Sequence, residues 1–219
     1  MYDPVFQSDA SAAEPAAKRQ RMKPGERREQ ILQTLAAMLQ EPGSDRITTA
    51  SLAAQLQVSE AALYRHFASK AQMFEGLIDF IEHSVFGLIQ QIDQREGRGA
   101  EKAAHMVAVV LQFAEKNPGL SRVMVGDALV LENERLQQRI NHLFDKLELS
   151  LRQVLRDAAQ EHHANAPTVD AQVRAAALVS LVLGSLQRFV RTGFKRSPLD
   201  YLDATLGFCL LYTSPSPRD

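Results

Sequence analysis

The sequence predicts an all-α protein with a small N-terminal helical unit and a larger helical body. Apolar residues recur three and four positions apart along most of the 219 residues, which is the spacing of an amphipathic helix. Turn-forming segments separate these stretches, the clearest being Asn117-Pro118-Gly119, a strong helix stop. No stretch shows a convincing alternation of apolar and polar residues, the pattern of a half-buried strand.

The charge is distributed unevenly along the chain. The formal net charge is −1, with 45% hydrophobic and 23% charged residues, as in ordinary globular proteins. From Lys18 to Lys70, however, nine Lys and Arg residues stand against five Asp and Glu residues. A basic N-terminal region joined to a slightly acidic remainder is typical of a protein that binds nucleic acid through its N-terminal part.

Cysteine content and hydropathy indicate where the protein works. Cys209 is the single cysteine, so one chain can build neither a disulfide nor a thiolate zinc site, and we expect a reducing, cytoplasmic setting. The N-terminus lacks a basic segment followed by an apolar run, so we predict no secretory signal. The longest apolar stretch, Ala175–Leu186, is interrupted by polar and small residues and is shorter than the roughly 20 residues that span a bilayer. We therefore predict a buried helix there and no membrane association.

Composition divides the chain into five segments. Residues 1–17 are rich in Ala, Ser, Asp and Pro without periodicity, which predicts a disordered tail. Residues 18–28 carry six cations and one acid; they are either a solubilising tail or a basic arm that contacts the DNA backbone, and their position favours the arm. We assign residues 25–70 to a helix-turn-helix unit and residues 71–210 to a helical body for dimerisation and partner binding. Residues 211–219 break the helical pattern with Ser and Pro, which predicts a disordered or non-native tail.

The stretch from Ile47 to Lys70, ITTASLAAQLQVSEAALYRHFASK, predicts two short helices joined by a tight turn. Thr48 is a good N-cap for the first of them, and Ser59 is a good N-cap for the second. The second helix is predicted to extend to about Phe67. In a helix-turn-helix, such a helix enters the major groove of DNA.

The remaining helices complete the predicted architecture. Ser69 and Gln72 have the spacing of a capping box, which predicts the start of a long fourth helix. The residues predicted to be buried along that helix are Phe74, Leu77, Ile78, Ile81, Val85, Leu88 and Ile92. Those predicted to be buried along the seventh are Leu136, Ile140, Leu143, Phe144, Leu147, Leu151 and Leu155. The other predicted helices cover about 25–39, 100–116, 120–126, 129–162 and 169–192 (capped by Thr168), and a last one starts near Pro198.

The helix-turn-helix predicts which side chains meet DNA. Small residues at the start of its second helix allow close approach to the base edges, where a methyl group can touch a thymine methyl. Hydroxyls and free backbone N–H groups at the start of its first helix suit a phosphate. Leu63 and Phe67 should pack inward, which leaves the polar residues between them at the groove. The predicted DNA contacts are Lys18, Arg19, Arg21, Arg46, Thr48, Thr49, Ser59, Glu60, Ala61, Ala62, Tyr64, Arg65, His66 and Lys70.

The run V-S-E-A-A-L-Y-R-H-F-x-S-K at residues 58–70 resembles the TetR family of bacterial transcription regulators. The resemblance implies a homodimer whose N-terminal units bind a palindromic double-stranded DNA site, without a cofactor. Residues 175–186 support the dimer independently, because a helix that is apolar almost all round is buried on several sides. One face can pack on its own body and the other on the partner's copy. Symmetry then requires two related half-sites in the DNA.

Further segments resemble the nucleoid occlusion branch of that family, over about residues 18–204. The most specific are NPGLSRVMVGDALVLENERLQQRINHLFDKLE and RFVRTGFKRSP. This resemblance implies binding to the cell-division protein FtsZ and antagonism of FtsZ polymers by the DNA-bound protein over the nucleoid. Phe80 and Lys116 fall in the segments that match the FtsZ surface, although Phe80 could instead pack against helix 1. Leu88 stands where the family pattern leads us to expect a basic residue.

The principal alternative is a TetR-type transcriptional repressor that a small molecule in the body releases from DNA. An enzyme finds little support, since no GxxxxGK[ST], GxGxxG, HExxH or GxSxG motif is present. Glu161, His162 and His163 are expected at a solvated helix end rather than around a metal. One basic run is either a solvated face or a contact for an acidic partner, and it consists of Arg188, Arg191, Lys195 and Arg196.

Overall fold

Helices make up most of the chain. The computed structural model describes residues 25–41, 47–95, 97–161 and 167–211, and these contain no strand, so the all-α prediction is confirmed. The elements in this part of the chain are α1 (Glu26–Gln40), α2 (Thr49–Gln55), α3 (Glu60–Tyr64), α4 (Lys70–Asp93), α5 (Gly99–Lys116), α6 (Pro118–Met124), a 3-10 turn (Asp127–Leu129), α7 (Glu134–Glu161), α8 (Pro167–Arg191) and α9 (Leu202–Leu211). We call α1–α3 the head and α4–α9 the body.

Side-chain caps fix where the helices of the head begin. The Thr48 hydroxyl accepts a hydrogen bond from the Ser51 amide (3.1 Å), and the Ser51 hydroxyl accepts one from the Thr48 amide (3.1 Å). The Ser59 hydroxyl accepts from the Ala62 amide at 3.2 Å. Both predicted caps are confirmed. Gln57 has a φ of +54°, and this left-handed residue makes the tight turn that sets α3 across α2.

The helices of the body run alternately away from the head and back towards it. α4 leaves the head at Lys70, and α5 returns, since the Lys102 amine donates to the Asp93 carbonyl (2.7 Å) at the turn between them. α7 runs away again beside α4, and α8 returns after it. The side-chain amide of Gln187, near the end of α8, donates to the Val125 carbonyl just after α6 (3.5 Å). The body therefore has a head end and a far end, and α8 finishes at the head end.

A ladder of ion pairs ties α7 to α4. In order along both helices, the pairs are Lys70–Glu132, Arg135–Glu75, Arg139–Asp79, Arg139–Glu82 and Lys146–Glu82. Exposed pairs of this kind stabilise weakly one by one, and a network gains more. The hydrogen bond from Lys146 lowers the pKa of Glu82 below its usual value; the charges of Lys146 and Arg139 add to this, and burial opposes it.

We expect Glu82→Gln to remove a pH-dependent part of the free energy of unfolding. A carboxyl whose pKa is lower in the folded state stabilises the fold above its unfolded pKa, about 4.3, and loses that effect as pH falls through the folded value. Urea unfolding should show the variant less stable than the wild type at pH 6, with the difference shrinking towards pH 3. A difference that stays constant with pH would contradict this role.

Four predictions need correction. The third helix ends at Tyr64 and not near Phe67, because the chain turns so that Phe67 is buried in the core. α7 begins at Glu134, since a 3-10 turn precedes it and the Asn133 side chain accepts from the Arg135 amide (2.9 Å). Helix 8 already starts at Pro167, which places Thr168 inside it.

The fourth correction concerns the last helix. It starts at Leu202 rather than near Pro198, because Tyr201 has a left-handed φ of +62°.

The buried stripe of α4 also differs at one position. Leu88 is 40% exposed, and Ile89 is buried in its place. The other six residues predicted for this stripe and all seven predicted for α7 are buried. Leu88 and Ile89 are adjacent and apolar, and the spacing from Val85 to Ile89 keeps the stripe facing α5 and α7.

α8 is buried on one side and exposed on the other. Leu178, Val182 and Leu186 lie in the core, whereas Ala176, Ala177 and other small residues are exposed. Within the described part of the chain, one helix, at Thr168–Arg191, is long and apolar enough to cross a membrane by length and composition; core helices of soluble proteins share these properties.

Candidate DNA-binding and partner-binding sites

The surface of α3 carries most of the predicted DNA contacts. Ser59, Glu60 and Ala61 are exposed, and Tyr64 is 46% exposed. Arg65 and His66 follow in the turn after α3 and are exposed as well. Ala62 is half-buried, while the two residues predicted to point inward, Leu63 and Phe67, are each 1% exposed. The structure thus presents a small, polar helix start and an aromatic and basic end on one side of the head.

The hydroxyls at the start of α2 already have partners within the chain. Thr48 bonds to Ser51 as the N-cap, and the Thr49 hydroxyl donates to the Glu60 carboxylate at 2.6 Å. The latter bond ties the start of α2 to the start of α3 and fixes the angle between them. A phosphate at this point would meet mainly the free backbone N–H groups of the helix start.

Lys70 was predicted to contact a DNA phosphate, but in the structure its amine has an acidic partner within the chain. Its amine pairs with Glu132, before α7, and lies 5.6 Å from the centre of the Phe74 ring. Both side chains are largely buried, with 24% and 14% exposed. The sequence could not identify Glu132 as the partner of Lys70, because the two residues are 62 positions apart in the chain.

Arg28 is a second residue whose role the sequence did not reveal. Its guanidinium stacks on the Phe67 ring at 4.0 Å and donates to the His66 carbonyl at 2.7 Å. It therefore holds the end of the α3 turn against α1. The predicted contacts Lys18, Arg19, Arg21 and Arg46 lie outside the described residues.

An exposed aromatic patch lies where α4 packs against α5. Phe80 is 53% exposed, and its ring centroid lies 6.3 Å from that of Phe113 on α5. This contact places the Phe80 ring beside α5. Lys116 is exposed three residues after Phe113, on the same side of α5. The structure therefore brings the two predicted FtsZ contacts, Phe80 and Lys116, to one surface through Phe113, which the sequence analysis did not single out.

A second apolar surface covers α8 and α9. Its exposed large side chains include Val169 and Val173 on α8 and Phe208 on α9, with Tyr201 at the start of α9. Small exposed residues on α8 separate them. In the described residues, no group of three or more His, Cys, Asp and Glu side chains could hold a metal; His162 and His163 lie outside them.

Two families of known sequence match this chain. Residues 31–77 match the family described as bacterial regulatory proteins, tetR family. Residues 100–213 match the SlmA-like family described as the tetracyclin repressor-like C-terminal domain. The matches cover most of the head, the first turns of α4 and nearly all of α5–α9, and they leave residues 78–99 of α4 and the turn after it unmatched.

Solved structures share the fold. The chain is similar to the transcriptional regulator FadR from Bacillus subtilis in complex with stearoyl-CoA, with a TM-score of 0.68, 16% identity and coverage of 85% of this chain and 99% of that chain. It is also similar to AibR in complex with isovaleryl coenzyme A and operator DNA, with a TM-score of 0.65, 17% identity and coverage of 84% and 98%. At this identity the likeness concerns the fold alone.

Much nearer relatives exist among proteins called nucleoid occlusion factor SlmA. The one from Photobacterium profundum is 53% identical over 178 residues, covering 81% of this chain and 90% of the relative. The one from Vibrio cholerae is 52% identical over 178 residues, with the same coverage. The chain therefore belongs to the SlmA branch of the TetR family of DNA-binding regulators.

Proposed function

We propose that this chain is a DNA-binding homodimer that acts as a nucleoid occlusion factor in the cytoplasm, where it associates with the nucleoid and antagonises FtsZ polymers when bound to DNA. The observation that carries the proposal is the identity of about half to the SlmA relatives over 90% of their length. A head of TetR type at residues 31–77 supports the DNA-binding part.

The dimer is supported by the apolar surface of α8 and α9. Val173 and Phe208 are 62% and 66% exposed, and large exposed apolar side chains on two neighbouring helices support a surface that another protein covers. A second copy of the same face makes a closed, symmetric pair. The two heads then address two half-sites of a palindrome.

The DNA contacts that we propose are those of the head. The exposed start of α3 enters the major groove, and Tyr64, Arg65 and His66 meet the flanking phosphates. Lys18, Arg19, Arg21 and Arg46 are proposed to bind the backbone. Lys70 would reach a phosphate only by breaking its ion pair with Glu132. We therefore propose that it contributes less to DNA affinity than the other cations of the head.

FtsZ is proposed to bind the patch formed by Phe80, Phe113 and Lys116. An exposed aromatic ring beside a cation is typical of a binding surface that takes an apolar side chain and an acidic group together. Leu88 is exposed further along α4 and adds apolar area where the family pattern expects charge. The patch is on the helix that begins at the head, so DNA binding and partner binding share one rigid element.

Light scattering of FtsZ polymers distinguishes this function from a ligand-released repressor. We expect the protein to reduce scattering, and more strongly when its palindrome is present. Unchanged scattering with and without DNA would refute FtsZ antagonism.

Tyr64→Phe should weaken DNA binding alike for all sequences. The Tyr64 hydroxyl makes no hydrogen bond to another described residue, so its removal costs no stability. One lost hydrogen bond to a charged phosphate amounts to about 1.5 kcal/mol or more, or at least about a 10-fold rise in Kd by fluorescence anisotropy. The salt dependence of binding should stay unchanged, because the hydroxyl carries no charge. Affinity equal to that of the wild type would rule out this contact.

A further inference from the structure

A second basic surface lies on the body, at the end of α8. Residues 187–197 contain four cations and no acid, in a chain with a net charge of −1. All four side chains are exposed, and none of them forms an ion pair with another described residue. We call this set the head-end basic cluster, and it consists of Arg188, Arg191, Lys195 and Arg196.

The turn after α8 holds the cluster rigidly. Gly193 and Phe194 both have left-handed φ values, +59° and +65°, and the Phe194 amide donates to the Phe189 carbonyl at 2.9 Å. The two phenylalanine rings meet edge to face at 5.1 Å. This combination is the Schellman ending of a helix with its apolar contact. The Arg196 amide donates to the Thr192 hydroxyl (3.2 Å), so the chain reverses at once and places Lys195 and Arg196 beside the end of α8.

The cluster lies at the end of the body that is nearest to the head. Gln187 bonds to the Val125 carbonyl, and the Ser197 hydroxyl bonds to Glu115 at the end of α5. Both partners flank α6, the short helix that packs on α1. The Arg122 guanidinium, on α6, donates to the Leu39 carbonyl of α1 at 3.3 Å. The head-end basic cluster is therefore linked to α1 of the head through one short helix, α6.

We propose that the head-end basic cluster binds the phosphates of the DNA that connects the two half-sites. This inference rests on the proposed dimer, in which α8 and α9 pair across the two-fold axis. Both copies of the cluster then lie near the axis, between the two heads and on the side of the DNA. Duplex DNA carries one negative charge per ~1.7 Å of its axis, and a backbone that is already ordered by a turn loses little entropy on binding.

The test compares two variants that remove the same charge. One is Arg191→Gln/Lys195→Gln/Arg196→Gln, which leaves out Arg188 because it shares a groove with Asp200. The control is Arg95→Gln/Arg98→Gln/Lys102→Gln at the far end of the body. The DNA is a palindrome selected from random duplexes by the full chain, and binding is measured by anisotropy over a range of KCl concentrations.

We expect the cluster variant to bind at least about 10-fold more weakly at 0.1 M salt. The slope of log K against log salt should fall by about 2 or more, at about 0.9 per lost phosphate contact, while the far-end control keeps the wild-type slope. Methylphosphonates at the centre of the palindrome should weaken the wild type and leave the cluster variant unchanged. Neutral phosphates within the half-sites should weaken both proteins equally.

Three results overturn the proposal. The first is a wild-type slope in the cluster variant, and the second is an equal effect of central methylphosphonates on both proteins. The third is a variant that binds DNA as the wild type does but has lost FtsZ binding, which would make the cluster a surface for an acidic protein. If the wild type itself does not prefer the palindrome, the proposed DNA-binding function fails instead. Circular dichroism melting of each variant shows that any loss is not a loss of folding.

Discussion

Replacing Gly119 with alanine should destabilise the protein by about 3 kcal/mol, the range of an overpacked core site. A methyl group on Gly119 would overlap the Ala36 carbonyl oxygen and lie 3.0 Å from its carbon and 3.2 Å from the Gln40 amide nitrogen. All three atoms belong to the backbone of α1, which no side-chain rotation can move away. α6 would have to withdraw from α1, and the contact between head and body would open.

Thermal unfolding by circular dichroism tests this expectation. For a chain of this size, about 3 kcal/mol lowers the Tm by about 6 to 12 °C. The matched control is Gly87→Ala in α4, where an added methyl meets nothing within 4 Å and alanine is the better helix former, so its Tm should hold or rise. A Gly119→Ala protein that melts within 1 °C of the wild type would show that α6 does not need this close approach.

The sequence was sufficient for features that depend on near neighbours. The caps at Thr48 and Ser59 were predicted because a cap needs only the residues two or three positions ahead. The buried stripes were predicted because they follow a fixed period, and the one error fell where Leu88 and Ile89 are equally apolar. Helix ends failed where backbone conformation decided them, as at Tyr201, whose left-handed φ has no sequence signal in a non-glycine residue.

The candidate sites depended more on contacts between distant residues. No local pattern indicates that Lys70 pairs with Glu132, that Arg28 stacks on Phe67, or that Phe113 lies under Phe80. Asn117-Pro118-Gly119 predicted only the end of α5, and the close approach of Gly119 to α1 became visible only in the structure. The exposure of the basic side chains was also visible only in the structure, because a sequence does not show which of several basic residues have an acidic partner.

Phe80→Ala should weaken FtsZ binding by about 30-fold and leave DNA binding within 2-fold. Truncating an aromatic anchor at the centre of an interface costs about 2 kcal/mol or more, which corresponds to this change in Kd. The ring is 53% exposed in the free protein and touches Phe113 from outside the core, so its loss should shift the Tm by less than about 3 °C. Binding is measured by anisotropy with labelled FtsZ and, separately, with labelled palindrome.

Two further variants make this result specific. Leu149→Ala removes a side chain that is equally exposed, at 55%, but lies on α7 away from the patch, and it should change neither affinity. Phe80→Leu keeps apolar area without the tilted ring contact to Phe113 and should restore part of the FtsZ affinity. Equal losses of DNA and FtsZ binding in Phe80→Ala would show that the ring supports folding. Full FtsZ affinity would move the partner site elsewhere on the body. The head-end basic cluster, which is exposed and has no acidic partner among the described residues, would be the next surface to test.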